Sequence, residues 1–148
     1  MTSRDSIDVR EVIFINERCR LDYEEMPEDV REAADQAIDA LQNSKALPAK
    51  MLRSLRGSLA GLVELRLAYD DANYRVYVSL ECLWTMMVID AGIKKSTEGA
   101  NIPKWQRERL KARHKTAREY CAAYDCELKA EYDKRKHRRE TRAKELSQ

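Results

Sequence analysis

Glycine and proline are scarce in this chain of 148 residues, four and three in number. That scarcity excludes a collagenous chain and a long flexible linker. No uncharged run approaches the roughly 20 apolar residues of a membrane-spanning helix. The first ten residues, MTSRDSIDVR, hold no apolar stretch of the kind that forms a signal-peptide core, so a cytoplasmic chain is expected. Cys19, Cys82, Cys121 and Cys126 form no CxxC pair, and in a domain of this size reduced thiols are expected rather than staples. The two histidines, His114 and His137, lie in basic helical sequence with no ligand spacing. No metal or other cofactor is expected, and both rings are expected to face solvent.

What remains is 36% charged and 43% hydrophobic, enough for one domain with one core. The net charge of +2 is a sum of unlike parts. Residues 1–44 carry five basic and twelve acidic side chains, a net of −7. Residues 45–100 carry a net of +2 and residues 101–148 a net of +7. A basic half points to a polyanionic or acidic partner. Mutual neutralisation of the two halves, within the fold or in a homodimer, is the alternative.

Residues 9–16 (VREVIFIN) have the β-branched and aromatic composition of a strand. After the acidic stretch 22–29, Pro27 stands at a helix start. Val30, Ala33, Ala34, Ala37, Ile38 and Leu41 then form one apolar stripe that closes at Asn43-Ser44. A second short helix is expected over residues 48–56, with Met51, Leu52 and Leu55 inward and Gly57 as its stop. The period then changes to two. Residues 62–69 (LVELRLAY), a turn at 70–73, residues 74–80 (YRVYVSL) and the apolar run 83–91 read as a three-strand antiparallel meander. Glu64, Arg66, Arg75 and Tyr77 share the polar face of its first two strands.

From Pro103 a long helical pattern begins, with Leu110, Ala117, Cys121, Tyr124, Leu128 and Tyr132 along a narrow seam. A continuous helix to the end would be about 69 Å long at ~1.5 Å per residue. The expected fold is therefore α+β: a small antiparallel sheet, made of the N-terminal strand and the meander, with two N-terminal helices packed on it and a long C-terminal helix. Residues 1–120 form the domain and residues 121–148 a basic helical extension. Trp84 and Trp105 are expected in core and hinge packing. The run KRKHRR at 134–139 suits either a solvated helix end or contact with RNA.

Three short motifs occur in order: Leu62-Val63-Glu64-Leu65-Arg66, Tyr74-Arg75-Val76-Tyr77 and Ile93-Lys94-Lys95-Ser96-Thr97. Together they resemble the RelE/ParE toxin superfamily, and within it the HigB-like, phage Gp49-related branch. The resemblance covers about residues 9–120. It implies the toxin of a type II toxin–antitoxin system that cleaves mRNA on the ribosome without a metal, the 2′-hydroxyl attacking the adjacent phosphate. It implies catalytic roles for Arg75, Lys95, Arg66 and Lys94, and RNA contacts by Lys45, Lys50, Arg53 and Tyr77. Guanidinium suits such a site because it is always charged and grips two phosphate oxygens at once. A cluster of this kind also lowers a lysine pKa toward the range useful for proton transfer.

The implied partners are a cognate antitoxin of helix-turn-helix type, the ribosome and mRNA. No membrane is involved, and a homodimer through the C-terminal helix is a further expectation. Strongly active ribosome-dependent members carry two lysines where this chain has Leu62 and Glu64. Non-catalytic alternatives on the same fold are a ParE-like gyrase poison and a phage-encoded protein-binding module. For Arg66 and Arg75 the plain alternative is a structural ion-pair set with Glu64 and Asp90.

Overall fold

The computed structural model describes residues 10–42, 45–94 and 102–147. Five strands, β1 (Glu11–Phe14), β2 (Leu52–Ser54), β3 (Leu62–Tyr69), β4 (Ala72–Ser79) and β5 (Thr85–Lys94), form one sheet in the order β1-β5-β4-β3-β2. The pairs β2–β3, β3–β4 and β4–β5 are antiparallel, and β1 runs parallel to β5. Among the described residues four α-helices accompany them: α1 (Glu17–Glu24), α2 (Glu28–Gln42), α3 (Lys104–Ala123) and α4 (Asp125–Leu146). The α+β class expected from the sequence is the one observed. The sheet, however, is mixed and five-stranded, not the four-stranded antiparallel sheet expected, because β1 runs parallel to β5 and residues 52–54 add an edge strand.

Alternation along the strands divides the interior in two. On one face Val63, Leu65, Leu67, Val76, Val78, Met86 and Val88 pack against Cys19 and Tyr23 of α1 and the apolar stripe of α2. On the other, Leu62, Tyr77, Met87 and Ile89 meet Leu55, Leu59 and α3's Leu110 and Ala117. The β3–β4 turn is two residues, Asp70 and Asp71, both at positive φ (49° and 62°). Aspartate tolerates that region, and two such residues match the twist of the flanking strands. Ala72 and Asn73, expected in the turn, therefore pair as the start of β4.

The β4–β5 ladder carries one β-bulge. Tyr77 pairs with Asp90 and Val78 with Val88, so Ile89 is an extra residue in β5. A bulge turns two successive side chains to the same side. Ile89 and Asp90 accordingly both face α3, while Ala91 returns to the α1–α2 core.

Several local expectations are corrected. Residues 48–56 form no helix: a turn at 49–51 leads into β2, which pairs with β3, and Arg66 N–H donates to the Met51 carbonyl at 2.7 Å. Leu52 and Leu55, inward together on a helix, here serve opposite faces of the sheet. The second N-terminal helix is instead α1, which follows directly on the expected first strand and runs into the acidic stretch. Asn16 caps it by accepting from Cys19 N–H at 2.8 Å. Arg20 bridges Glu17 and Glu24 along its surface. The first strand is shorter than expected, Glu11–Phe14; Val9 and the helix-closing Asn43-Ser44 lie outside the described residues.

The C-terminal helix is not one rod. Tyr124, at φ −112° and ψ 21°, separates α3 from α4. Two of the four cysteines are not free thiols, since Cys82 in the β4–β5 connection is disulfide-bonded to Cys121 of α3. Cys19 is buried and free, and Cys126 is exposed and free. Burial pushes the Cys19 thiol up to about 12. Trp84 packs on Tyr132 of α4, whereas Trp105 is 55% exposed over the Arg109 guanidinium, outside any core. Among the described residues no helix is long and apolar enough to cross a membrane.

Candidate phosphate site on the sheet

The α3-facing side of β3 and β4 carries a charged cluster built on a buried carboxylate. Glu64 is 3% exposed. Its Oε1 accepts from Arg66 Nε at 2.8 Å, and Arg75 Nε lies 3.8 Å from the same oxygen. Tyr77 donates its hydroxyl to Oε2 at 2.8 Å. Strand register enforces the arrangement, because Glu64 is opposite Tyr77 and Arg66 is opposite Arg75. Directly opposed like charges repel, and the single carboxylate between them offsets that repulsion. One positive charge remains uncompensated within the cluster.

Arg75 is mostly buried, its side chain 13% exposed. Its Nη1 donates to the Tyr74 carbonyl at 3.1 Å, while Nε makes no hydrogen bond among the described residues. Gly92 of β5 is the cross-strand neighbour of Arg75 on the other side, and a Cβ built there would meet nothing within 4 Å. The floor beside Arg75 is thus left open. Lys94, opposite Asn73, shares this face one step further along β5. Two guanidiniums fixed side by side above an open floor can grip the oxygens of a phosphate.

Arg66, Arg75 and Lys94 share one sheet face. Lys95, with Ser96 and Thr97 after it, lies outside the described residues. Arg53 is exposed on β2, opposite Glu64. Lys45 and Lys50 are exposed on the segment leading into β2. Tyr77 is 2% exposed with its hydroxyl on Glu64, so it backs the carboxylate and presents no surface to RNA. Burial, then the Glu64 charge, pushes its hydroxyl above the usual tyrosine range.

The plain ion-pair reading holds for Glu64 and not for Asp90. Asp90, 1% exposed, accepts from Arg109 of α3 at 2.6 and 3.1 Å, from Arg113 at 3.2 Å and from the Ala91 N–H at 3.0 Å. Arg113 also donates to the Ile89 carbonyl at 2.9 Å. This network, which clamps α3 to β5, escaped sequence reasoning. An aspartate inside an apolar strand, with arginines four apart on a later helix, was its signal.

His114 is buried, not solvent-facing. It is 1% exposed, with Nε2 3.2 Å from Glu81 Oε2, off the line of a hydrogen bond, and Nδ1 3.0 Å from Arg118 Nη2. Burial, and then Arg118, lowers its pKa. It lies by the β4–β5 connection near a cleft of about 510 Å³ between that connection and α3, away from Arg66 and Arg75 in the fold. Among the described residues no group of three or more His, Cys, Asp or Glu side chains is placed to hold a metal ion.

No curated protein matches this sequence. The pattern that defines the family described as "Phage derived protein Gp49-like (DUF891)" matches residues 22–117, from within α1 to the middle of α3. That span is most of the chain and includes Glu64, Arg66, Arg75 and Lys94. The chain belongs to this Gp49-like family of phage-derived proteins, a family of the RelE/ParE-like toxin superfamily.

Proposed function

We propose that the protein is the toxin of a type II toxin–antitoxin pair and cleaves mRNA on the ribosome, held inactive by a cognate antitoxin of helix-turn-helix type. The observation that carries this reading is the Arg66–Arg75 pair fixed above Glu64 beside the open position at Gly92. In the reaction the RNA 2′-oxygen bonds to the adjacent phosphorus and the P–O5′ bond breaks. The 2′-hydroxyl gives up its proton to water, the leaving 5′-oxygen takes one from water, and the new end is a 2′,3′-cyclic phosphate. Arg75 and Arg66 hold the non-bridging oxygens as negative charge builds in the transition state, the largest single contribution such a site makes. Lys94 adds positive charge from the end of β5, Lys95 serves the same phosphate in this reading, and Lys45, Lys50 and Arg53 meet the RNA backbone.

The test is primer extension on mRNA bound to purified ribosomes. Cuts are expected with the wild-type protein, and Arg75→Gln is expected to slow cutting about 100-fold or more, the loss typical of removing one oxyanion donor. Intact mRNA with both proteins would refute the proposal.

One observation favours a second reading. Both Glu64 oxygens are already engaged by donors, so this carboxylate is a poor proton acceptor. A non-catalytic member of the fold, either a gyrase poison or a protein-binding module, needs no such acceptor. Inhibition of gyrase supercoiling by protein that leaves ribosome-bound mRNA whole would select the gyrase version.

A further inference from the structure

Helix α4 lies beyond the segment that matches the family, and its two halves behave differently. The first half is moored to the domain. Trp84 Nε1 donates to Asp125 at 2.9 Å, Lys129 sits over the Trp84 ring, Tyr132 packs against it, and Arg135 reaches Glu11 of β1 at 3.7 Å. Past Arg135 the helix continues for another eleven residues, about 16 Å at ~1.5 Å per residue. There Lys136, Arg138, Arg139, Arg142 and Lys144 make no side-chain hydrogen bond or ion pair among the described residues.

The arginines are not scattered. Arg135, Arg138, Arg139 and Arg142 fall at i, i+3, i+4 and i+7, the spacing that places residues on one face of a helix. In an ordinary amphipathic helix that stripe is apolar; here it is guanidinium, about 10 Å long at ~1.5 Å per residue. A helix that docks on protein needs a buried apolar or aromatic anchor at the centre of its interface, and this stripe contains none. A phosphate backbone needs only cations, and arginine binds it bidentately.

We infer that the arginine stripe of α4 is a second, sequence-independent site for the phosphate backbone of RNA, separate from the sheet cluster. The charge and spacing point to a polyphosphate; the choice of RNA over DNA rests on the function proposed above.

The experiment follows the binding of a labelled single-stranded RNA oligonucleotide to the full-length protein by fluorescence anisotropy over a series of KCl concentrations. The variant is Arg138→Gln/Arg139→Gln/Arg142→Gln, with glutamine chosen because its helix propensity matches that of arginine. Losing three phosphate contacts is expected to make the slope of log K against log salt shallower by about 2, with affinity at low salt at least about tenfold weaker. The corresponding triple lysine variant is expected to keep the slope. An unchanged slope in the glutamine variant overturns the inference. So does tighter binding of a DNA oligonucleotide of the same sequence. A variant that changes the oligomeric state in sedimentation while its RNA slope stays put assigns the face to a second copy of the chain, and also overturns it. Assaying the wild-type protein for cleavage of ribosome-bound mRNA in parallel separates the two proposals: absent cleavage by wild type with the slope change preserved removes the enzymatic reading and leaves this one standing.

Discussion

Arg66 and Arg75 stand directly opposite each other on β3 and β4, two cations placed as cross-strand neighbours. Such a pair opposes sheet formation and persists here because Glu64 lies beneath both. The carboxylate is therefore as much a part of the anion site as the guanidiniums.

Replacing Glu64 by glutamine leaves the two arginines facing each other without a counter-charge. The expected loss is about 3 kcal/mol, at the lower end for breaking a buried pair because Arg66 retains contact with water. Urea unfolding measures it. The double variant Glu64→Gln/Arg75→Gln is expected to recover part of the loss, since it also removes the repulsion. A double variant whose loss equals the sum of the single losses would show that Glu64 and Arg75 are uncoupled.

Folding holds the His114 pKa below its ordinary value of 6.5, first through burial and then through Arg118, with Glu81 opposing. The unfolded chain therefore takes up a proton near pH 6.5 that the folded protein resists. Stability is complete above that pH and falls as the pH drops through it, until the folded ring also protonates. The slope this one group adds is at most about 1.4 kcal/mol per pH unit. His114→Gln is expected to flatten the decline between about pH 7 and about pH 5. Parallel unfolding curves for variant and wild type over that range would contradict this assignment.

The bond between Cys82 and Cys121 closes a loop across 39 residues of sequence. Chain entropy alone assigns a closure of that length ~4 kcal/mol of stability. Dithiothreitol, or the pair Cys82→Ser/Cys121→Ser, should lower the urea midpoint accordingly. The free thiols Cys19 and Cys126 remain as internal controls. If the midpoint does not respond to reductant, the two sulfurs are not bonded in solution.

The meander could be read from sequence because strict alternation over residues 62–69 and 74–80 reports local geometry directly. The cluster of Glu64, Arg66 and Arg75 followed from the same alternation. The sequence did not expose what depends on distant meetings. Met51, Leu52 and Leu55 satisfy a helical spacing as well as a sheet spacing, and only pairing with β3 decides between them. Cys82 and Cys121 are far apart in the chain, and nothing local reveals that α3 returns to the β4–β5 connection. Helix α1 has few apolar residues of its own, with only Cys19 and Tyr23 buried. Its cap at Asn16 and its arginine–carboxylate ladder outweigh a weak apolar pattern.

The extra residue at Ile89 gives β5 two phases, one before it and one after. Deleting Ile89 would restore a regular ladder with every face kept, but inserting one residue between Ile89 and Asp90 would exchange the faces of every residue after it. Asp90 would then enter the layer beneath α1 and α2, a charge among Cys19, Met86 and Val88, and Arg109 and Arg113 would lose the carboxylate that ties α3 to the sheet. Substitutions can be absorbed one side chain at a time. An insertion between the bulge and Asp90 cannot, so this strand constrains which insertions and deletions the fold can survive.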